Sequence, residues 1–320
     1  MPKTKKIKKK NYIHLAKENP HNAFFDMLNL ALVIFVLGVV FGFLVWISYA
    51  FKGDIKIDPV AININGWNIY WYGIVFAIAF LLGLMLVLKE SRRFKYNPDF
   101  IINMIFGATI SGFVGARLVF ALLNWSYYSN NIIQIFNIWQ GGLSLHGAIL
   151  GGLLFIAIYS KIKKINVWQI LDIFSPAILL GTIIGRWGNF FNQELFGYPS
   201  KSFLKMYISP LNRPYSFRGH AYFHPVFLYE SLLCLVALIV LLIIRRRKSI
   251  RTGEVFLAYI ALYSSIRFFI EFIRIEPKIF LSLTLAQIVS LLIFIASLGI
   301  IFIKRKAKSL KKVKKKKGKK

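Results

Sequence analysis

The thirteen residues from Gly185 to Gly197 read GRWGNFFNQELFG and follow the apolar run SPAILLGTII. Arg186, Asn189, Asn192, Gln193 and Glu194 are interleaved there with Trp187, Phe190 and Phe191. On a continued helix Arg186, Asn189 and Gln193 share one face. A second polar stripe lies in YSSIRFFIEFIR, where Tyr263, Arg267 and Glu271 recur every four residues and fall within an arc of about 80° of one helix. Arginine carries a planar fork of donors that suits phosphate, so the two stretches together can clamp a phosphate group. Each also has a plainer explanation: Arg186 as a snorkelling residue of an aromatic belt, and Arg267 with Glu271 as a pair locking two helices. Their occurrence together favours the chemical explanation. A third polar residue, His146 in GGLSLHGAILGG, stands alone in an apolar stretch, where spacing by itself points to a hydrogen-bonded core histidine.

Other chemistries find no support. The five histidines (His14, His21, His146, His220, His224) lack ligand spacing and have no cysteine partner beside them, so no metal is expected. Neither a phosphate-binding glycine loop ending in Lys-Ser/Thr nor an HExxH pair occurs, and no cofactor is implied. The single cysteine, Cys234, lies inside an apolar run, which suits a buried structural thiol. Reactivity must therefore rest on Arg, Glu, Tyr, His and Asn.

The elements that position these residues follow from composition. The chain of 320 residues is 57% hydrophobic, yet carries 42 Lys+Arg against 12 Asp+Glu, a net charge of +30, and its mean hydropathy is +0.59. Apolar blocks must alternate with basic ones, as in an all-α polytopic membrane protein. A hydrocarbon core of about 30 Å needs roughly 20 apolar residues per helix. Windows of that kind lie near 27–51, 67–88, 100–123, 140–160, 167–190, 224–244, 253–275 and 285–303, which predicts about eight transmembrane helices in one polytopic domain. The small-residue spacing of GATISGFVGA, Gly107 to Ala116, predicts close helix packing.

Basic clusters sit at Lys3 to Lys10, at Lys89 to Lys95, at Lys161 to Lys164, at Arg245 to Lys248 and from Lys304 onward. They occupy every second connection, which places them and both termini in the cytoplasm and 191–223 outside. The outer 191–223 segment departs from this pattern in carrying Lys201, Lys205, Arg213 and Arg218. The lysine tails lack interleaved aromatics and any folded reading module, so their expected partner is anionic membrane lipid and not nucleic acid. The first apolar run exceeds the length of a signal-peptide core, so it is expected to be retained.

The residues carry a resemblance. GRWGNFFNQELFG resembles the signature G-R-x-G-N-F-x-N-x-E-x-x-G of the phosphatidylglycerol:prolipoprotein diacylglyceryl transferase family. WYG (Trp71 to Gly73), GGLSLHG (Gly141 to Gly147), HPVFLYE (His224 to Glu230) and the Tyr263/Arg267/Glu271 helix agree with it in order. The similarity covers about residues 62–303, five ordered motifs in all. It implies a seven-span transferase domain at 62–303, preceded by a basic segment (1–26) and an extra helix (27–51) and followed by a lysine-rich tail (304–320). Phe227 stands where many relatives have a polar residue.

The implied activity, in a bacterial cell membrane, moves the diacylglyceryl group of phosphatidylglycerol onto the lipobox cysteine of a prolipoprotein signal peptide. A thioether forms and glycerol phosphate leaves. The nucleophile then belongs to the substrate, and the chain has to supply a base and charge stabilisation for the departing phosphate. By similarity His146 and Tyr263 are the essential polar residues, either being the base, with His146 favoured because imidazole titrates near neutrality. Arg186 and Arg267 clamp the phosphate. Tyr72, Asn189, Glu194 and Gly197 bind or orient the headgroup, and Glu271 holds Arg267. The other class compatible with arginines in a membrane cavity is a transporter or flippase for an anionic lipid, but the chain lacks the internal repeat many of those show.

Overall fold

A computed structural model describes residues 20–138 and 141–317, with side chains described over 29–138 and 141–306. The basic run Lys3 to Lys10 and the tail side chains beyond Lys306 lie outside the described residues. The chain divides into two units, residues 1–56 and 57–320.

The first unit contains α1 (Pro20–Lys52), whose stretch Asn29–Lys52 has a mean hydropathy of 3.0, ample for a membrane span. The second unit opens on a hairpin, β1 (Val60–Ile64) and β2 (Trp67–Tyr70). Asn65 and Gly66 turn it with φ of 49° and 87°, the left-handed pair that a two-residue hairpin needs. This Asn-Gly turn is why the expected 67–88 helix starts later: the four residues before Trp71 pair with β1.

Helices α2 (Trp71–Arg93), α3 (Pro98–Leu123), the short α4 (Trp125–Tyr128), α5 (Leu145–Ile162) and α6 (Val167–Phe191) follow. A small outer sheet of β3 (Met206–Tyr207) and β4 (Tyr222–Phe223) separates them from α7 (Val226–Ile244), α8 (Glu254–Ile270) and α9 (Leu285–Lys317). Asn97, Ser144 and Asn166 cap α3, α5 and α6 by accepting from backbone N–H groups of the first turn.

Among the described residues seven helices are long and apolar enough to cross a membrane. The eighth expected span is α8, whose 17 residues fall just short of that length. Large apolar side chains such as Phe76, Leu81, Phe113, Leu154, Val236 and Leu292 point outward and exposed, a surface that water penalises and lipid accepts. Interior contacts are of two kinds. Leu179, Cys234, Leu241, Ile266 and Ile270 knit α6, α7 and α8 together, while Ile101, Met104, Ile156, Ile170 and Ile173 do so for α3, α5 and α6. Cys234 is fully buried, the buried structural thiol that was expected.

Helices α3 and α5 meet backbone to backbone. A Cβ on Gly115 would collide with the Gly147 carbonyl oxygen, and one on Gly151 with that of Ser111, which is the close packing expected of the small-residue stripe.

The helices alternate in direction, so their ends form two polar layers. At one end Glu90 pairs with Arg93 and Arg245, both at 2.8 Å. There Asp172 accepts from the Gly253 and Phe256 N–H groups at the start of α8, and Glu254 receives two bonds of 3.0 Å from Arg305. The opposite end gathers the N-termini of α2, α5, α7 and α9 with the C-termini of α3, α6 and α8, and carries the candidate site.

Candidate active site

The last two turns of α6 present Arg186 and Asn189. Beyond Phe191 the helix stops, because Gln193 and Leu195 adopt left-handed φ values of 50° and 54°. The turn brings Glu194 back, and its Oε1 accepts from Asn189 Nδ2 at 2.7 Å. Gln193 therefore does not share a face with Arg186 and Asn189 as a continued helix would require. Its Oε1 accepts from the Ser209 N–H at 2.8 Å and from Asn212 Nδ2 at 3.3 Å, so it pins the outer loop.

Arg186 donates from Nη1 to Asn189 Oδ1 at 3.4 Å and from Nη2 to Glu230 Oε1 at 2.5 Å. The same carboxylate oxygen accepts from the Tyr263 hydroxyl at 3.4 Å. Glu230, on the first turn of α7, is 1% exposed; a carboxylate so deep is tolerated only when paired and hydrogen-bonded. The four-residue spacing of Tyr263 and Arg267 puts both on α8. Arg267 Nη2 lies 3.1 Å from Glu271 Oε2, which also lies 3.5 Å from Arg274 Nε. Thr284 Oγ1 donates to Glu271 Oε1 at 3.2 Å, tying the start of α9 to this pair. At this end of the bundle two guanidinium nitrogens among the described residues, Arg186 Nε and Arg267 Nη1, are buried without a hydrogen-bond partner; Arg245 Nε at the opposite end is in the same condition.

Tyr72, half exposed at the start of α2, lies across Gly188: a Cβ there would come within 2.6 Å of Tyr72 Cδ2. Trp71 stacks on Phe191 with centroids 4.8 Å apart. Gly197 donates its N–H to the His224 carbonyl at 2.9 Å, and its missing Cβ would lie 2.5 Å from the Ile273 carbonyl oxygen. Gly197 thus lets the loop after α6 close against the end of α8. Phe227 is fully buried and packs on Trp187 and Phe190.

His146 stands apart from this network. It is the second residue of α5, exposed, and among the described residues its ring makes no hydrogen bond or ion pair. Beside it runs a groove of about 580 Å³ between α2, α3, α5 and α6, lined mostly by apolar side chains and including Tyr72, Leu145, Thr182 and Gly185. His146 and Arg186 each directly follow a residue that lines this groove, Leu145 and Gly185.

Three charged residues of this end escaped the sequence reading. Glu230 was within reach of it, since a carboxylate inside an apolar run demands a partner as surely as Arg267 does. Arg274 lies three residues beyond Glu271 of the Tyr263/Arg267/Glu271 stripe. Arg117, inside apolar α3, carried the same signal as Glu230.

Fold and site together define a multi-pass membrane protein whose helical bundle holds an arginine-rich polar site at one end, with an apolar groove leading to it. The sequence profile of the prolipoprotein diacylglyceryl transferases matches residues 59–303. Curated relatives bearing the name phosphatidylglycerol–prolipoprotein diacylglyceryl transferase include one from Listeria monocytogenes serotype 4b, 40% identical over 258 residues, covering 79% of this chain and 92% of the relative. Another, from Acaryochloris marina, is 40% identical over 247 residues, 77% of this chain and 90% of its own. A third, from Synechocystis, is 37% identical over 251 residues, 77% of this chain and 89% of its own. The chain belongs to the prolipoprotein diacylglyceryl transferase family.

Proposed function

We propose that this chain transfers the diacylglyceryl group of phosphatidylglycerol to the cysteine thiol of a prolipoprotein lipobox. The observation that carries the site assignment is the pair of buried, unpartnered donors, Arg186 Nε and Arg267 Nη1. A buried donor left unmade costs about 1–3 kcal/mol, and a phosphate supplies the missing acceptor. Glu230 and Glu271 hold the two guanidiniums in place, and Asn189 with Glu194 fixes the Arg186 side. Tyr72 and Gly197 shape the headgroup pocket, and the apolar groove suits an acyl chain.

In the reaction the thiol proton passes to a base. Sulfur attacks the glyceryl carbon, the C–S bond forms as the C–O bond to phosphate breaks, and glycerol phosphate departs with the bonding pair. Charge grows on the leaving phosphate, where preorganised guanidiniums are most effective. His146 is the base in this scheme: its ring nitrogens are uncommitted, whereas the Tyr263 hydroxyl is engaged with Glu230. Purified protein in detergent, given phosphatidylglycerol and a lipobox peptide, is expected to yield the diacylglyceryl thioether. An unmodified peptide in that assay, together with movement of intact lipid between leaflets once the protein is reconstituted in vesicles, would instead establish the transporter class, which the family relationship does not favour.

The topology belongs to the same proposal. Lys89 to Arg93, Lys161 to Lys164, Arg245 to Lys248 and Lys304 lie at the end of the bundle opposite the site, and the positive-inside rule puts that end in the cytoplasm. The site then faces the outer leaflet, with both termini inside and residues 62–303 forming the transferase domain. The helix at 27–51 and the lysine tails are additions to it, the tails meeting anionic lipid on the inner face. A cysteine at the exposed position 201, in a Cys234→Ser background, is expected to react with an impermeant maleimide added outside intact cells. Labelling of position 201 only after permeabilisation would invert the topology.

A further inference from the structure

Arg117 is 6% exposed within apolar α3, and no carboxylate pairs with it among the described residues. Its guanidinium is satisfied by backbone carbonyls instead. Nε donates to Ile135 O at 2.6 Å. Nη1 donates to Gly141 O at 2.7 Å and Gly142 O at 3.0 Å, and Nη2 to Gln134 O at 2.8 Å and Asn137 O at 2.9 Å. One face lies over the Tyr128 ring, 5.3 Å from its centroid. A guanidinium has five N–H donors, and five carbonyls take them. Arg186 and Arg267 each keep a nitrogen for a ligand; Arg117 does not.

The carbonyls belong to the chain that leads into α5. Gly141 and Gly142 have φ of 79° and 82°, conformations that glycine adopts without strain. Two residues later the Ser144 N–H donates to the carbonyl of Ala116, the neighbour of Arg117, at 3.0 Å. The Ser144 hydroxyl accepts from the Gly147 N–H, capping the turn that carries His146. Gly147 itself abuts Gly115. One turn of α3 therefore holds the approach to α5, its cap and its first turn.

We propose that Arg117 is a positioning residue of the transfer reaction, fixing the segments around Gln134 to Asn137 and Gly141 to Gly142 and, through them, the place of His146. The proposal rests on the assignment of His146 as the base. A lysine has three donors on a point charge and cannot hold five carbonyls spread across two segments.

The test uses the full chain in detergent, phosphatidylglycerol and a lipobox peptide. Arg117→Lys is expected to lower kcat between about tenfold and a hundredfold, the scale set by a misplaced catalytic group, with KM for phosphatidylglycerol within about twofold of wild type. Gly142→Ala strains the same cage from the other side, because its Cβ would lie 2.5 Å from Phe120 Cε1 and 2.9 Å from Arg117 Nη1 at a φ of +82°. It is expected to do the same and decides the matter if the lysine variant fails to accumulate.

The deciding readout is non-additivity. In a His146→Gln background Arg117→Lys should cost little more, since the group it positions is already gone. Multiplicative losses in the double variant, a wild-type kcat in the folded single variants, or a raised KM with unchanged kcat would overturn the proposal. Should His146→Gln alone keep the wild-type rate, the base assignment is what has failed.

Discussion

Arg186→Lys is expected to insert and fold normally yet transfer lipid about a hundredfold more slowly, the equivalent of about 3 kcal/mol of transition-state stabilisation. An ammonium on a flexible stem can still reach Glu230 Oε1, now 2.5 Å from Arg186 Nη2, so the buried carboxylate keeps a counter-charge. What is lost is the geometry of the fork, including the unpartnered Nε, at the moment the leaving phosphate acquires its second charge. Arg218→Ala serves as the comparison, because that guanidinium is exposed and rests over the Tyr215 ring at 4.9 Å, away from the network. The measurement is the initial rate at saturating phosphatidylglycerol, normalised to folded protein. A near wild-type rate for Arg186→Lys would return this arginine to an interfacial anchoring role.

His146→Gln should lose between about a hundredfold and ten-thousandfold of the neutral-pH rate, the range that general-base catalysis supplies. The loss should shrink as pH rises. A thiol ionises on its own near 8.5, so above that pH the peptide cysteine needs no base, and the variant should approach the wild type. Tyr263→Phe removes a hydroxyl bonded to Glu230 at 3.4 Å and is expected to cost about tenfold or less, without recovery at high pH. Rate profiles of the three proteins from neutral to alkaline pH decide the matter. A large, pH-rescued loss in Tyr263→Phe together with a mild His146→Gln would exchange the two roles.

The helical, polytopic class was legible in the sequence because lipid imposes a simple rule: backbone polar groups must be satisfied within a helix, and about 20 apolar residues are needed to cross. The same rule made Arg267 and Glu271 conspicuous, and their pairing at 3.1 Å follows from four-residue spacing alone. Glu230 stood in a quoted motif, but its partner could not be named, since Arg186 lies 44 residues away and helix periodicity has no range beyond its own helix. The same limit hid the dependence of the His146 turn on Arg117.

Local conformation set a second limit. The Asn-Gly turn shortened the expected first helix of the second unit, and the left-handed φ of Gln193 took that residue off the face it was expected to share. By itself, then, the sequence determined the membrane class, the family and most of the residue types in the site, because each depends on composition, local spacing or ordered motifs. Only the tertiary structure decided which carboxylate meets which arginine, which guanidinium nitrogens remain free, and that His146 stands outside the Arg186–Glu230–Tyr263 network. Those outcomes depend on how α6, α7 and α8 pack, and the energy of a buried charge is decided by the few atoms within hydrogen-bonding distance of it, which no spacing along the chain specifies.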